Sequence, residues 1–279
     1  MRRLLNAVLL YLLSVGICDD INAAELEIKR LKTNKGTEFG VLSKVNQKKP
    51  APTLIVLATT IEGTLGSSYY RHCGNQLLEL GYVCVSINLP SHGNEQIAGE
   101  PEGLPGWNYR LSQGSNFVAE FNENISSVID YLIKKRISVP EDIVICGTSR
   151  GGFLALHAAI HDRRIKCVAA FAPVTDLSVL REFNSDIECE LIKEINLLKF
   201  TKELSRRKIW IVIGDRDKRV GTDEVIKLAR EISRESDLLD NNSGKVELHV
   251  LHEPRGHTVP KQAAKMAADW IVSELNNEG

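Results

Sequence analysis

Apolar residues run almost unbroken through Thr53–Ala58, Tyr82–Ile87, Ile143–Cys146, Cys167–Phe171 and Ile209–Ile213. Short runs of this kind, rich in β-branched residues and bounded by turn formers, predict strands buried on both faces. Between them the apolar period becomes helical. Ser67–Leu80 is such a stretch and stops at Gly81. Asn116–Arg136 sets Phe117, Phe121, Ile125, Val128, Ile129 and Leu132 on one side. Glu224–Glu235 and Lys261–Leu275 are predicted helices, with a last strand, Val246–Leu251, between them. Upstream, Glu25–Leu31 and Phe39–Val45 flank Thr33-Asn34-Lys35-Gly36, which reads as a hairpin. An antiparallel hairpin followed by alternating strands and helices predicts an α/β fold: a mostly parallel central sheet with helices on both faces.

Two segments interrupt the alternation. Ser91–Ser115 is rich in Gly and Pro and carries Trp107, Tyr109 and Arg110. A loop of that length in a compact domain is expected to be a lid or a mobile excursion. Leu177–Ser205 looks helical and is large enough for a small cap, an insertion within one domain spanning residues 25–279. Residues 1–24 read differently. Arg2-Arg3 precedes the apolar stretch Leu4–Ile17, which is too short to span a bilayer comfortably, and Ala23-Ala24 offers small residues for cleavage. A cleaved signal peptide and a secreted or periplasmic protein are expected, with a retained membrane anchor as the alternative. Cys18 follows Ile17, which is not the small residue a lipidation site wants.

Composition narrows the partners. The chain has 279 residues, 43% hydrophobic and 25% charged, and a net charge of −1, so no basic surface points to nucleic acid. Stable membrane association is not expected after signal cleavage. Beyond Cys18, Cys73, Cys84, Cys146, Cys167 and Cys189 remain, an odd number that cannot pair completely. Cys84, Cys146 and Cys167 lie in apolar strands and read as buried thiols. A Cys73–Cys189 disulfide is conceivable in an oxidising compartment. No Cys/His spacing suits a metal, and none is expected.

The chemistry concentrates at Gly147-Thr148-Ser149-Arg150-Gly151-Gly152, which joins the strand Ile143–Cys146 to a helical stretch from Phe153 to Ile160. Strand, glycine turn, Ser and helix form the nucleophile elbow of a serine hydrolase. A serine hydroxyl needs a base, and the base needs a carboxylate to fix its tautomer. In this architecture the chain order is Ser, acid, His. His257 follows the last strand in a loop before the final helix, where a base can reach over the sheet; His252, at the strand end, is the alternative. His249 alternates with apolar residues inside the strand. Asp217 lies just past the strand Ile209–Ile213, with Asp215 and Asp176 as alternatives. Asp176 also fits an N-cap. The oxyanion donors expected are the backbone N–H of Arg150 and, from the loop after Thr53–Ala58, that of Thr60. The Arg150 side chain is expected in a structural ion pair, the alternative being an acidic group on the substrate.

With these residues placed, the chain resembles the α/β-hydrolase superfamily over about residues 38–275. It is most like the dienelactone hydrolase-like and prolyl oligopeptidase-like catalytic domains and their esterase relatives. The elbow, Gly214-x-x-Asp217-x-x-Val220 and Gly256-His257 match in order and context. Asn88-Leu89-Pro90-Ser91-His92-Gly93 is similar to the group's Asp-x-Pro-x-x-Gly segment, with Asn88 in the Asp position and His92 expected to brace the loop. Where these families carry His-Gly after the third strand, this chain has Ala58-Thr59, so a differently shaped oxyanion loop is expected. The resemblance implies a serine hydrolase acting on a small-molecule carboxylic ester through an acyl-enzyme, with no cofactor. A prolyl oligopeptidase-type peptidase or a thioesterase is the alternative, and a non-catalytic binding protein a more distant one. The lack of a preceding β-propeller favours the esterase.

Overall fold

The computed structural model describes residues 26–183, 189–239 and 244–276. The expected signal peptide, residues 1–24, lies outside them. The strands are β1 Leu26–Lys32, β2 Glu38–Lys44, β3 Ala51–Leu57, β4 Val83–Ile87, β5 Ser138–Thr148, β6 Ile165–Phe171, β7 Lys208–Gly214 and β8 Lys245–Leu251. They form one sheet in the order β1-β2-β4-β3-β5-β6-β7-β8. β1 and β2 are the antiparallel hairpin, β2 is also antiparallel to β4, and the remaining pairings are parallel.

The unbroken apolar runs have a simple origin. Successive strand residues point to opposite faces, and here both faces are covered. In β7, Ile209, Ile211 and Ile213 enter one core while Trp210 and Val212 enter the other. The first core also takes helices α3 Leu104–Ser112, α4 Phe117–Lys134, α5 Arg150–His161 and α8 Thr222–Asp237. The second takes α1 Ile61–Leu65, α2 His72–Glu79 and α9 Ala263–Asn276. Among the described residues no helix is long and apolar enough to cross a membrane.

The fold differs from the sequence reading in several places. The helix expected over Ser67–Leu80 begins only at His72. Ahead of it Thr60 caps the short α1 by accepting the Gly63 N–H, and the turn after Gly66 carries Tyr69 and Tyr70 outward. The Ser91–Ser115 segment is not a free loop, because α3 forms within it with Pro105 in its first turn. Trp107 is fully buried there and donates its indole N–H to Pro90 O at 2.7 Å. Arg110 forks onto the buried Glu100 carboxylate at 2.7 and 2.8 Å. A third difference concerns Cys73 and Cys189, which lie on opposite sides of the sheet and cannot pair. Cys73 Sγ instead sits 3.7 Å from Cys146 Sγ, and the five described cysteines are free thiols.

The described residues between 177 and 205 form short turns. 3₁₀ turns at Leu177–Val179 and Arg181–Phe183 precede α6 Glu190–Glu194, a further 3₁₀ turn Leu197–Phe200 and α7 Thr201–Leu204. Among the segment's fastenings are two side-chain links. His157 of α5 donates to Ile195 O at 3.0 Å. Glu182 accepts both bonds of an Arg219 fork, at 2.7 and 2.8 Å, from the loop after β7.

Candidate active site

Ser149 stands alone between the end of β5 and the start of α5, with φ 55° and ψ −115°. An L-residue held there costs about 1–3 kcal/mol, which the surrounding structure must supply. The elbow is over-determined. Ser149 N–H donates to Phe171 O at 2.8 Å, and Ser149 O accepts from the Gly152, Phe153 and Val174 amides at 3.0, 3.2 and 3.1 Å. Two glycines permit the close crossing. A Cβ on Gly147 would lie 2.1 Å from Gly151 O, and one on Gly151 would lie 2.0 Å from Leu57 O.

His257 arrives from the loop after β8. Its Nε2 is 2.9 Å from Ser149 Oγ and its Nδ1 is 2.7 Å from Asp217 Oδ2. A carboxylate only accepts, so Nδ1 carries the proton and Nε2 is free to accept the serine O–H. Asp217 is 3% exposed. Its other oxygen accepts the Arg219 and Val220 amides at 2.9 and 3.2 Å. Burial alone would raise the Asp217 pKa. The His257 hydrogen bond and charge, with the two amides, outweigh it and hold the carboxyl below its usual range. The group is therefore a carboxylate at neutral pH.

The alternative residues are engaged elsewhere. Asp215 accepts from exposed His252 Nδ1 at 3.0 Å and from the Glu253 amide at 2.8 Å. Glu253 is in turn gripped by Arg255, whose fork lowers its carboxyl to about 2. These contacts shape the loop that delivers His257. Asp176 caps the turn Leu177–Val179 through Ser178. His249 packs beside Trp210 on β8, with ring centroids 5.1 Å apart.

The loop after β3 runs close to the elbow. Thr59 N–H is taken by Thr64 Oγ1 at 3.1 Å and Ile61 N–H by Asn88 Oδ1 at 2.8 Å. The Thr60 amide between them donates to no acceptor among the described residues, nor does the Arg150 amide in the first turn of α5. The cleft over Ser149 has a volume of about 170 Å³. Its wall includes Ala58, Tyr69, Tyr70, Arg150, His257 and Val259. Among the described residues no cluster of His, Cys, Asp and Glu is placed to hold a metal.

A family model described as the prolyl oligopeptidase family matches residues 106–278, more than half of the chain. The chain belongs to the prolyl oligopeptidase family. It is accordingly a serine hydrolase, an esterase or a peptidase. Among solved structures it is similar to a Bacteroides ovatus protein assigned as a dipeptidyl aminopeptidase IV, with 16% identity and a TM-score of 0.67. That match covers 90% of this chain and 35% of the other, so the chain spans about a third of that protein's length. It is similar to a cold-adapted esterase from an Arctic intertidal metagenomic library, with 15% identity, a TM-score of 0.64, and 89% and 93% of the two chains covered. It is also similar to an acetyl xylan esterase from a Paenibacillus species, at 17% identity, TM-score 0.66, and 91% and 86% coverage. At these identities the likeness is one of fold. Comparison with curated proteins gives no match.

In this prolyl oligopeptidase family member the sequence reading overlooked the cleft's aromatic rim. Tyr69 and Tyr70 were absorbed into an expected helix, although Gly66-Ser67-Ser68 ahead of them is a breaker run. Tyr69 Oη lies 3.5 Å from the Val259 amide, joining the rim to the His257 loop. His72, which opens α2, bonds Thr148 Oγ1 at 3.2 Å and packs edge-on against Phe171, supporting the elbow from behind. The ion pair expected for the Arg150 side chain is absent among the described residues. Its Nη1 donates instead to His92 Nε2 at 3.1 Å. His92, 2% exposed, is fixed by its Nδ1–H on Pro90 O at 2.8 Å.

Proposed function

We propose that the protein is a secreted serine hydrolase that cleaves a carboxylic ester through an acyl-enzyme. Residues 1–24 are its signal peptide and 25–279 its hydrolase domain, with a small helical insertion at about 177–205. Ser149, His257 and Asp217 are the catalytic triad. Ser149 Oγ attacks the ester carbonyl while His257 Nε2 takes its proton. Asp217 fixes the Nδ1–H tautomer and stabilises the imidazolium. The Thr60 and Arg150 amides receive the developing oxyanion. Collapse expels the alcohol, protonated by His257, and a water activated by the same imidazole releases the acid.

The observation that carries this reading is the pair of hydrogen bonds, 2.9 and 2.7 Å, linking a serine at a strained elbow to a buried carboxylate through one imidazole. The cleft favours an ester over a peptide. Among the described residues its lining holds a cation and no carboxylate to anchor the ammonium of a short peptide. Its volume, about 170 Å³, suits a small acyl group, since a cavity of roughly 150 Å³ takes a benzene. The family's name favours a peptidase as the second reading.

A fluorophosphonate probe should label Ser149, located by peptide mapping. Short-chain 4-nitrophenyl esters should be hydrolysed in the presence of EDTA, and Ser149→Ala should abolish both. Labelling and turnover that survive Ser149→Ala would overturn the triad. Peptide anilides turned over with a higher kcat/KM than the esters would favour the peptidase.

A further inference from the structure

The chemistry above uses the Arg150 amide and leaves its side chain without a task. The guanidinium is half-buried in the wall of the cleft that holds Ser149 and His257. Its single hydrogen bond among the described residues runs to a neutral partner, because His92 Nδ1–H is committed to Pro90 O and Nε2 must accept. Burial also lowers the His92 pKa, which keeps that ring uncharged at neutral pH. No carboxylate of the described residues pairs with Arg150. Glu182 and Glu102 bear on it through space, but the Glu182 oxygens are taken by the Arg219 fork, Glu102 is exposed and makes no bond to it, and Arg219 adds a second positive charge nearby.

This placement opposes ordinary stability. A partly buried cation is unfavourable unless paired. Arg150 also opens α5, at the end of the helix dipole that repels cations. A guanidinium offers five N–H donors in a planar fork, and among the described residues one is occupied. Among the described residues no carboxylate bonds to the fork, and a carboxylate fits it in two parallel bonds. The cleft is open to such a group, one residue from the nucleophile.

We propose that Arg150 selects substrates carrying a carboxylate close to the scissile carbonyl, gripped by the guanidinium that His92 holds in the cleft wall. The proposal rests on the hydrolase reading of the same site.

The test compares esters in matched pairs. One pair carries the charge on the acyl side: the 4-nitrophenyl monoester of adipic acid against its methyl-capped form. The other carries it on the leaving group: 3-acetoxybenzoate against its methyl ester. Wild type should prefer the free carboxylate in at least one pair by about tenfold to a hundredfold in kcat/KM, the range of a charge-assisted bond. Which pair responds assigns the side of the substrate. Arg150→Met should bring that ratio to one or below, and Arg150→Lys, with charge but no fork, should fall between. Each ratio is taken within one preparation, so a general change in rate cancels. Equal kcat/KM within both pairs, or a ratio unchanged in Arg150→Met, overturns the proposal and leaves the hydrolase standing. If no ester is turned over, the hydrolase reading is what fails. Calorimetric titration of adipate into Ser149→Ala, with and without Arg150→Met, then decides: binding that depends on Arg150 supports the carboxylate site, and its absence overturns it.

Discussion

Mild acid should weaken this protein through one buried imidazole. His157 lies on α5, 4% exposed, between Phe153 and Phe200 at ring-centroid distances of 4.6 and 5.1 Å. Its Nε2–H donates to Ile195 O at 3.0 Å, and among the described residues no carboxylate stands by to favour a charge. Burial pushes its pKa down to about 4, the Ile195 bond resisting only in part. In the unfolded chain a histidine titrates near about 6.5. The folded value is the lower one, so the unfolded state binds the proton first. The stabilisation is complete above about pH 6.5, is lost progressively as the pH falls, and levels off below about pH 4. Between pH 7 and pH 5 the loss from this residue is about 2 kcal/mol. Urea unfolding of wild type and His157→Gln at pH 7, 6 and 5 isolates it, because the other groups titrate in both proteins. His157→Gln should be less stable at pH 7 yet flatter with pH by about 2 kcal/mol. Parallel pH dependences in the two proteins would refute the reasoning.

Two further outcomes follow from the site. Asp217→Asn should lower kcat by roughly 10⁴-fold, the cost of a wrong imidazole tautomer in another triad enzyme, whereas Asp215→Asn should cost less than about tenfold; steady-state kinetics on a common ester separates them, and the reverse order would place the acid on Asp215. Ser149→Gly and Ser149→Ala should both be inactive, but the glycine variant, released from the strained φ of 55°, should melt about 2–4 °C higher in calorimetry. A glycine variant melting at or below the alanine one would mean that the elbow stores no strain.

The sheet was legible because its central strands, such as β3, β4, β6 and β7, are buried on both faces, which writes each as a nearly continuous apolar word. Ser149, Asp217 and His257 were found from local context and chain order, and the structure brings them within hydrogen-bond range of one another. What escaped depends on distance in space. Helix α3 hid in a Gly- and Pro-rich stretch because its anchors are remote: Trp107 packs against Phe117 and Phe153, and Arg110 is matched by Glu100. The environment of Cys73 turns on which face of β5 its neighbour Cys146 takes, a matter of register that composition does not record. The Arg150 side chain was misread because an ion pair is the usual resting place for a buried arginine. Here the neighbouring acid, Glu182, is spent on Arg219.

That last bond joins two parts of the molecule that a designer would wish to vary separately. Arg219 gives its amide to Asp217 Oδ1 and its guanidinium to Glu182, whose side chain is only 13% exposed. The turn Arg181–Phe183 and the carboxylate bonded to His257 thus hang from one residue. Swapping the segment from 177 to 205 for another would leave that arginine without its anion and loosen the loop that holds Asp217. A graft in place of that segment must bring its own carboxylate to the position of Glu182, or it will disturb the loop that seats the partner of His257.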